Sequence, residues 1–239
     1  MIGPIVNGVA VVCGSLGGAV LGDRIPVGLR RSMPRIFGCA SMGLGITMIV
    51  KLKFLPAVIL AFLIGSILGE VLHLERGVQK AAAKARSCID RMIPPTAHGL
   101  SHEEYLEKFL AILVLFCASG TGLFGAMNEG MTGDPSLLLA KAFLDLFTAA
   151  IFATTLGFPV ATLALPQCAI QVALLLGAST IYPMTTPAMI GDFSAVGGLI
   201  TFATGFRICG IISFPIVNML PALVIVMPVS ALWLRLFVR

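Results

Sequence analysis

Lys141 and Asp145 stand one helical turn apart in the apolar stretch Ser136 to Leu156, which is long enough to cross a bilayer. Ionised groups at such depth cost at least ~2.5–3.5 kcal/mol each on insertion scales, so they face a protein interior and serve it. Asp145 follows Asp134 by eleven positions, roughly 16 Å along a helix and close to the midplane. Two uses are open for the pair. It holds a proton, a cation or a solute, or it only ties helices together, with Lys141 bonding Asp145 at i, i+4 or snorkelling outward.

The segment before it is the richest in polar and small residues: Ser119-Gly-Thr121-Gly, then Asn128-Glu129-Gly-Met-Thr-Gly-Asp134-Pro. Asp134 followed by proline is a helix-start signal. Such a start aims N–H groups and a partial positive charge at whatever occupies the glycine-rich region. A second helix start is expected at Asp192, because Met131-Thr-Gly-Asp134-Pro-Ser136 and Met189-Ile-Gly-Asp192-Phe-Ser194 share the pattern M-x-G-D-x-S. Pro4-Ile-Val-Asn7 likewise recurs as Pro215-Ile-Val-Asn218. Read as internal repeats, these matches describe duplicated elements, and transporters bind solutes between such repeats at discontinuous helices. The candidate substrate- or ion-binding residues are therefore Asp145, Lys141, Asp134, Asp192, Asn128, Glu129, Ser119 and Thr121.

No enzyme signature accompanies them. The chain lacks H-E-x-x-H, G-x-S-x-G and a Walker loop. Its three histidines lie in polar segments and supply no buried general base. Six cysteines occur singly, without the paired spacing of a metal site or a disulfide framework. No cofactor and no metal are expected.

The elements that must position these residues are membrane helices. The 239 residues are 58% hydrophobic and 11% charged, against about a quarter charged in soluble domains. The net charge of +5 is divided among loops, which excludes the gathered basic face of a nucleic-acid binder. Expected spans are about 4–22, 33–51, 54–73, 106–127, 136–156 and 158–181, followed by an apolar tract from 188 to 236 interrupted by Arg207, Pro215, Pro221 and Pro228. The first residues lack the basic start of a cleaved signal peptide, so span one is expected to stay. Lys and Arg mark cytoplasmic loops. Segments 23–35 and 74–108 carry most of them, which sets the N-terminus outside. Arg235 and Arg239 draw the C-terminus inside. The fold expected is an all-α polytopic membrane protein of about seven transmembrane helices, part of 184–207 being broken or re-entrant; eight spans is the second choice.

Within that single transmembrane domain, 74–104 reads as a cytoplasmic amphipathic helix and loop. Arg76, Lys80, Lys84 and Arg91 line one face of the helix, Pro94-Pro95 ends it, and a capping box at Ser101 to Glu104 opens the next. Ala10, Gly14, Gly18 and Gly22 recur every fourth residue on span one, and Ala61, Gly65 and Gly69 on span three. Small residues at this period let backbones approach closely, either inside the protein or across a homodimer.

Leu115-Phe-Cys-Ala-Ser-Gly-Thr-Gly122, Met127-Asn-Glu-Gly-Met-Thr-Gly-Asp134, Asp192-Phe-Ser-Ala-Val-Gly-Gly198, Arg207-Ile-Cys-Gly210 and Val217-Asn-Met-Leu-Pro221 resemble domain-of-unknown-function family 554. The resemblance covers nearly the whole chain. It implies a bacterial inner-membrane protein of about seven spans, and brings neither an activity nor binding residues with it. The leading expectation for function is a small secondary transporter or channel-like protein for a small polar or ionic solute, a homo-oligomer in the bilayer. The alternative is a non-transporting scaffold or regulator whose buried charges are structural.

Overall fold

A computed structural model describes residues 1–24, 26–90 and 102–237. Helices and their connections account for all of it, and no strand occurs among the described residues. The helices are α1 (Ile2–Leu21), α2 (Val27–Ile49), α3 (Leu55–Val71), α4 (Leu74–Asp90), α5 (His102–Cys117), α6 (Gly120–Thr132), α7 (Ser136–Leu156), α8 (Ala164–Ile181), α9 (Pro187–Cys209), the short α10 (Ile216–Met219) and α11 (Pro221–Phe237). Six stretches are long and apolar enough to cross a membrane: α1, Glu104–Thr132, α7, Phe158–Met184, α9 and Ile216–Phe237. Counting α3 with the start of α4, bent by 50°, as one span makes seven. The expected span 33–51 falls within α2, which carries Arg30, Arg31 and Arg35 in its first half and is not among these stretches. Residues 91–101 of the 74–104 segment, with Arg91, Pro94-Pro95 and Ser101 of the expected capping box, lie outside the described residues.

The helices are apolar outside and small inside, as lipid solvation allows. On α3, Leu60, Leu63, Ile64 and Ile67 are exposed, while Ala57, Ala61, Gly65 and Gly69 are buried. Gly65 lies against Ala222 and Gly69 against Asn218, so α3 and the α10–α11 unit run antiparallel. Gly14 meets Leu146 and Gly18 meets Ala150, which sets α1 parallel to α7 at backbone contact. Both glycine stripes are thus consumed within one chain. Of the two uses expected for them, packing inside the protein is the one this fold makes of these glycines.

One further expectation is overturned. Residues 187–209 form one uninterrupted helix, not a re-entrant element. Its Thr186 cap and the proline at its first turn begin it cleanly, and Gly210 in the left-handed conformation ends it. Prolines mark several of the observed helix starts and breaks, at Pro159, Pro183, Pro187, Pro215 and Pro221, while Pro228 sits inside α11. Two further breaks carry no proline, at Ala118–Ser119 between α5 and α6 and at Leu72–His73 between α3 and α4. Contacts also fix the relative direction of α1 and α11. Gly122 meets Lys141 and Gly125 meets Leu138, so α7 opposes α6. Phe124 stacks on Phe193 and Gly120 lies by Thr204, so α9 also opposes α6. Ser230, late in α11, donates to Asp192, early in α9, so α11 opposes α9. It follows that α11 runs against α1.

Candidate functional site

Asp145 is the tenth residue of α7 and Lys141 the sixth. Their spacing places both on the side of α7 turned into the bundle, where they are 8% and 3% exposed. Lys141 Nζ donates to Asp145 Oδ2, and the ammonium lies 5.7 Å from the centre of the Phe116 ring, a cation–π contact. Lysine does not snorkel here. Gln167 Nε2 on α8 donates to the same carboxylate oxygen at 2.6 Å. Gln171, one turn further along α8, is 2% exposed and neither of its amide atoms has a hydrogen-bond partner; Gln167 Oε1 and both amide atoms of Asn7 are also unpartnered. Buried amides left in this condition are rare in proteins and mark places for water or a ligand.

The broken helix supplies the opposite wall. The Ala118 N–H closes α5 on Val114 O at 2.8 Å, and Leu123 N–H opens α6 on Ser119 O at 3.0 Å. Between them Ser119 is extended and makes no side-chain cap. A pocket of about 40 Å³ lies there, lined by Ser119, Thr121, Lys141, Asp145, Phe116 and Ser41 among others. That volume accommodates water or a few heavy atoms. A larger cavity of about 760 Å³ opens beside it between α2, α5, α7 and α9, and reaches Gln79, Lys108 and Arg207. Phe37, Leu115, Thr148 and Ile208 line both spaces, so a thin wall is all that separates the vestibule from the charged pair.

Of the eight residues expected to bind, the fold brings four together: Lys141, Asp145, Ser119 and Thr121. Asp134 is exposed and caps α7, with its Oδ1 accepting from the Ser136 N–H at 2.9 Å. The Ser136 hydroxyl and N–H hold its carboxyl below the usual range. Asn128 and Glu129 lie at the far end of α6, where Glu129 accepts from the Gly3 N–H at 3.1 Å and so caps α1. Asp192 is no helix start. It is the sixth residue of α9, fully buried, and accepts from the N–H groups of Lys53 and Phe54 and from Ser230 Oγ. The two M-x-G-D-x-S copies therefore occupy unlike places, and their acids cap protein helices instead of facing a solute. Sequence reading missed Gln167, Gln171 and Asn7. The i, i+4 spacing of the two glutamines within an apolar helix was the available signal.

At the mouth of the vestibule a polar network ties four helices. Arg207 pairs with Glu75 at 2.8 Å, and Glu75 also accepts from the Val217 N–H at 2.9 Å. Asn218 accepts from the Glu75 N–H at 2.7 Å and donates to Glu70 at 2.6 Å. No group of three or more metal-ligating side chains occurs among the described residues.

The family model described as "Protein of unknown function (DUF554)" matches residues 2–231. "Uncharacterized protein YqgA" of Escherichia coli (strain K12) is 53% identical over 237 residues, covering 99% of both chains. "Uncharacterized membrane protein YdfK" of Bacillus subtilis (strain 168) is 27% identical over 229 residues, covering 94% of this chain and 93% of that one. No solved structure matches.

Proposed function

The chain belongs to the DUF554 family, and from that premise we propose that it is a membrane permease for a small polar or ionic solute, with its site at Lys141, Asp145, Gln167 and Gln171. One observation carries this reading: the 760 Å³ vestibule abuts the small pocket that holds the buried pair. Discontinuous helices at mid-depth are the places where transporters bind their cargo, and α5–α6 is such an element. A scaffold role is the second reading, favoured by the mutual satisfaction of Lys141 and Asp145.

Thr148 stands on the shared wall, so Thr148→Trp should plug the passage while its indole occupies the vestibule. In a thermal-shift screen against inorganic ions, amino acids and organic acids, a solute that stabilises wild type should lose its effect on this variant, with the unliganded melting temperature within a few degrees. An unchanged response would refute a route through the vestibule.

The reading includes an orientation in a bacterial inner membrane. Arg24, Arg76, Lys80, Lys84 and Lys108 sit on the side where the vestibule opens, and that side is cytoplasmic by the distribution of positive charge. With α2 crossing beside α9, both termini then face outward. Periplasmic reporters fused at either end should be active, and one inserted near residue 95 should be silent. A silent C-terminal fusion would refute the eight-pass arrangement.

A further inference from the structure

The walls and the rim of the 760 Å³ vestibule differ in chemistry. Its walls are apolar along Phe37 of α2, Leu110 and Leu115 of α5, Ile151 and Phe152 of α7 and Ile208 of α9. Apart from Thr148 and Thr155, the polar lining is gathered at one end. Gln79 of α4, Lys108 near the start of α5, Arg207 near the end of α9 and Ser213 just past it stand there. The Tyr105 hydroxyl donates to the Leu156 carbonyl at 2.6 Å, which joins the start of α5 to the end of α7 at that level. Seven positions of α5 separate Lys108 from Leu115, a depth of roughly 10 Å. Among the described residues α5 packs along neither α2 nor α9, the helices across the cavity from it. The vestibule is thus an apolar cleft with a basic rim.

That rim keeps positive charge unmatched. Arg207 uses only Nη1, for Glu75 Oε1 at 2.8 Å and the Phe214 carbonyl at 3.4 Å. Its Nε and Nη2 edge has no acceptor among the described residues. Glu75 offsets the arginine, and its other oxygen accepts from the Val217 N–H. Lys108 is exposed and forms no ion pair among the described residues. No carboxylate is among the described residues that line the cavity; Glu104, one turn before Lys108, does not line it. With Glu75 set against Arg207, the lining carries the positive charge of Lys108. Arg76, Lys80 and Lys84 add to it from α4, where all three are exposed.

Basic pockets between helices at a cytoplasmic face receive anionic lipid head groups, and an apolar cleft behind the rim receives the chain that follows. We infer that the vestibule seats one anionic phospholipid of the surrounding bilayer. Its phosphate lies on Lys108 and the free edge of Arg207, and one acyl chain runs inward along α5 and α7. The chain ends on Phe37, Leu115, Thr148 and Ile208, the wall shared with the small pocket. A small hydrophilic anion leaves these walls uncovered, and a lipid without net charge leaves Lys108 unanswered. The inference goes beyond the permease reading and stands without it. Where both hold, lipid and passing solute exclude each other from the vestibule.

The test uses purified full-length protein in nanodiscs of equal parts phosphatidylcholine and phosphatidylglycerol, released into native mass spectrometry. Chains of different mass mark the two lipids. One phosphatidylglycerol per protein should survive release, and phosphatidylcholine should not. Glycerol 3-phosphate, a head group without chains, should neither bind nor displace it. Lys108→Gln removes an exposed charge that holds no other contact, and should lower occupancy about fivefold, the effect of one basic group at an anionic surface. Ala111 lines the cleft and is exposed, so Ala111→Trp should fill the cleft and abolish retention with every charge in place. Melting temperatures near that of wild type certify that both variants are folded. Equal retention of the two lipids would overturn the assignment, leaving only a shell of unselected lipid. Displacement by glycerol 3-phosphate would mean a site for free phosphate. Retention lost in Lys108→Gln and intact in folded Ala111→Trp would mean a head group held on the surface, with no chain in the cleft.

Discussion

Replacing Asp145 by asparagine alone should lower the melting temperature of the unliganded protein sharply, and adding Lys141→Met should restore most of the loss. Lys141 is 3% exposed and bonded to Asp145, with the Phe116 ring as its other near contact. Asparagine keeps the shape and can still accept from Gln167, but it leaves an ammonium in the protein interior with no counter-charge. Breaking a buried pair from one side costs about 3–5 kcal/mol, whereas replacing both partners by neutral groups of similar volume is often near neutral. Lys141→Met alone should cost less than Asp145→Asn, because the carboxylate it orphans still accepts from Gln167. Melting curves of the four proteins form a double-mutant cycle whose coupling is the measure of the pair. Additive losses, with the double variant the least stable, would mean that the two groups do not depend on each other. Stability alone does not identify a permease. The decisive combination is a double variant that regains stability and stays unresponsive to solute.

The second large effect is expected at a single glycine with its neighbour as control. Gly18→Leu should abolish folded protein, while Gly17→Leu should be tolerated. A Cβ on Gly18 would overlap the backbone carbonyl of Ala150, and backbone cannot step aside as a flexible side chain does. The parallel pairing of α1 with α7 would have to open along its length, Gly14 and Leu146 included. That pairing also positions the face of α7 that carries Lys141 and Asp145, so the site would be lost with it. Nothing lies within 4 Å of the Cβ position at Gly17, which points outward. Size-exclusion profiles and yields of the two variants in mild detergent measure the contrast. A folded Gly18→Leu protein would contradict the backbone contact. Dissociation of an oligomer by Gly17→Leu would instead reveal a seam on the outer face of α1.

Much of this architecture was legible without coordinates because lipid permits few solutions. A backbone with no water to bond must be helical, so runs of some twenty apolar residues announced α1, α7 and α8 within a few positions of their observed ends. The same rule singled out Lys141 and Asp145, since ionised residues in such a run need a partner and here they are each other's. Their i, i+4 spacing made the contact a local matter. The small-residue stripes announced close packing, which depends only on the absence of side chains.

What the sequence left open was which backbone each stripe meets. Gly14 and Gly18 fit a second chain as well as they fit α7, and the choice rests on how the helices share one interior. The same holds for the acids. Asp192 and Asp134 carry one local pattern, yet one is sealed under the start of α3 and the other is exposed at the start of α7, because a carboxylate takes whichever N–H groups the fold delivers to it. The break at Ala118–Ser119 has no proline to announce it and follows from the demands of α7, α8 and α9 around it. Gln167, Gln171 and Asn7 gain meaning only once α1, α7 and α8 converge. Sequence alone determined that charge is buried in this membrane protein and where along the chain it lies. Tertiary structure decided what surrounds that charge, since donors and acceptors from helices distant in sequence are matched, or left unmatched, only by packing.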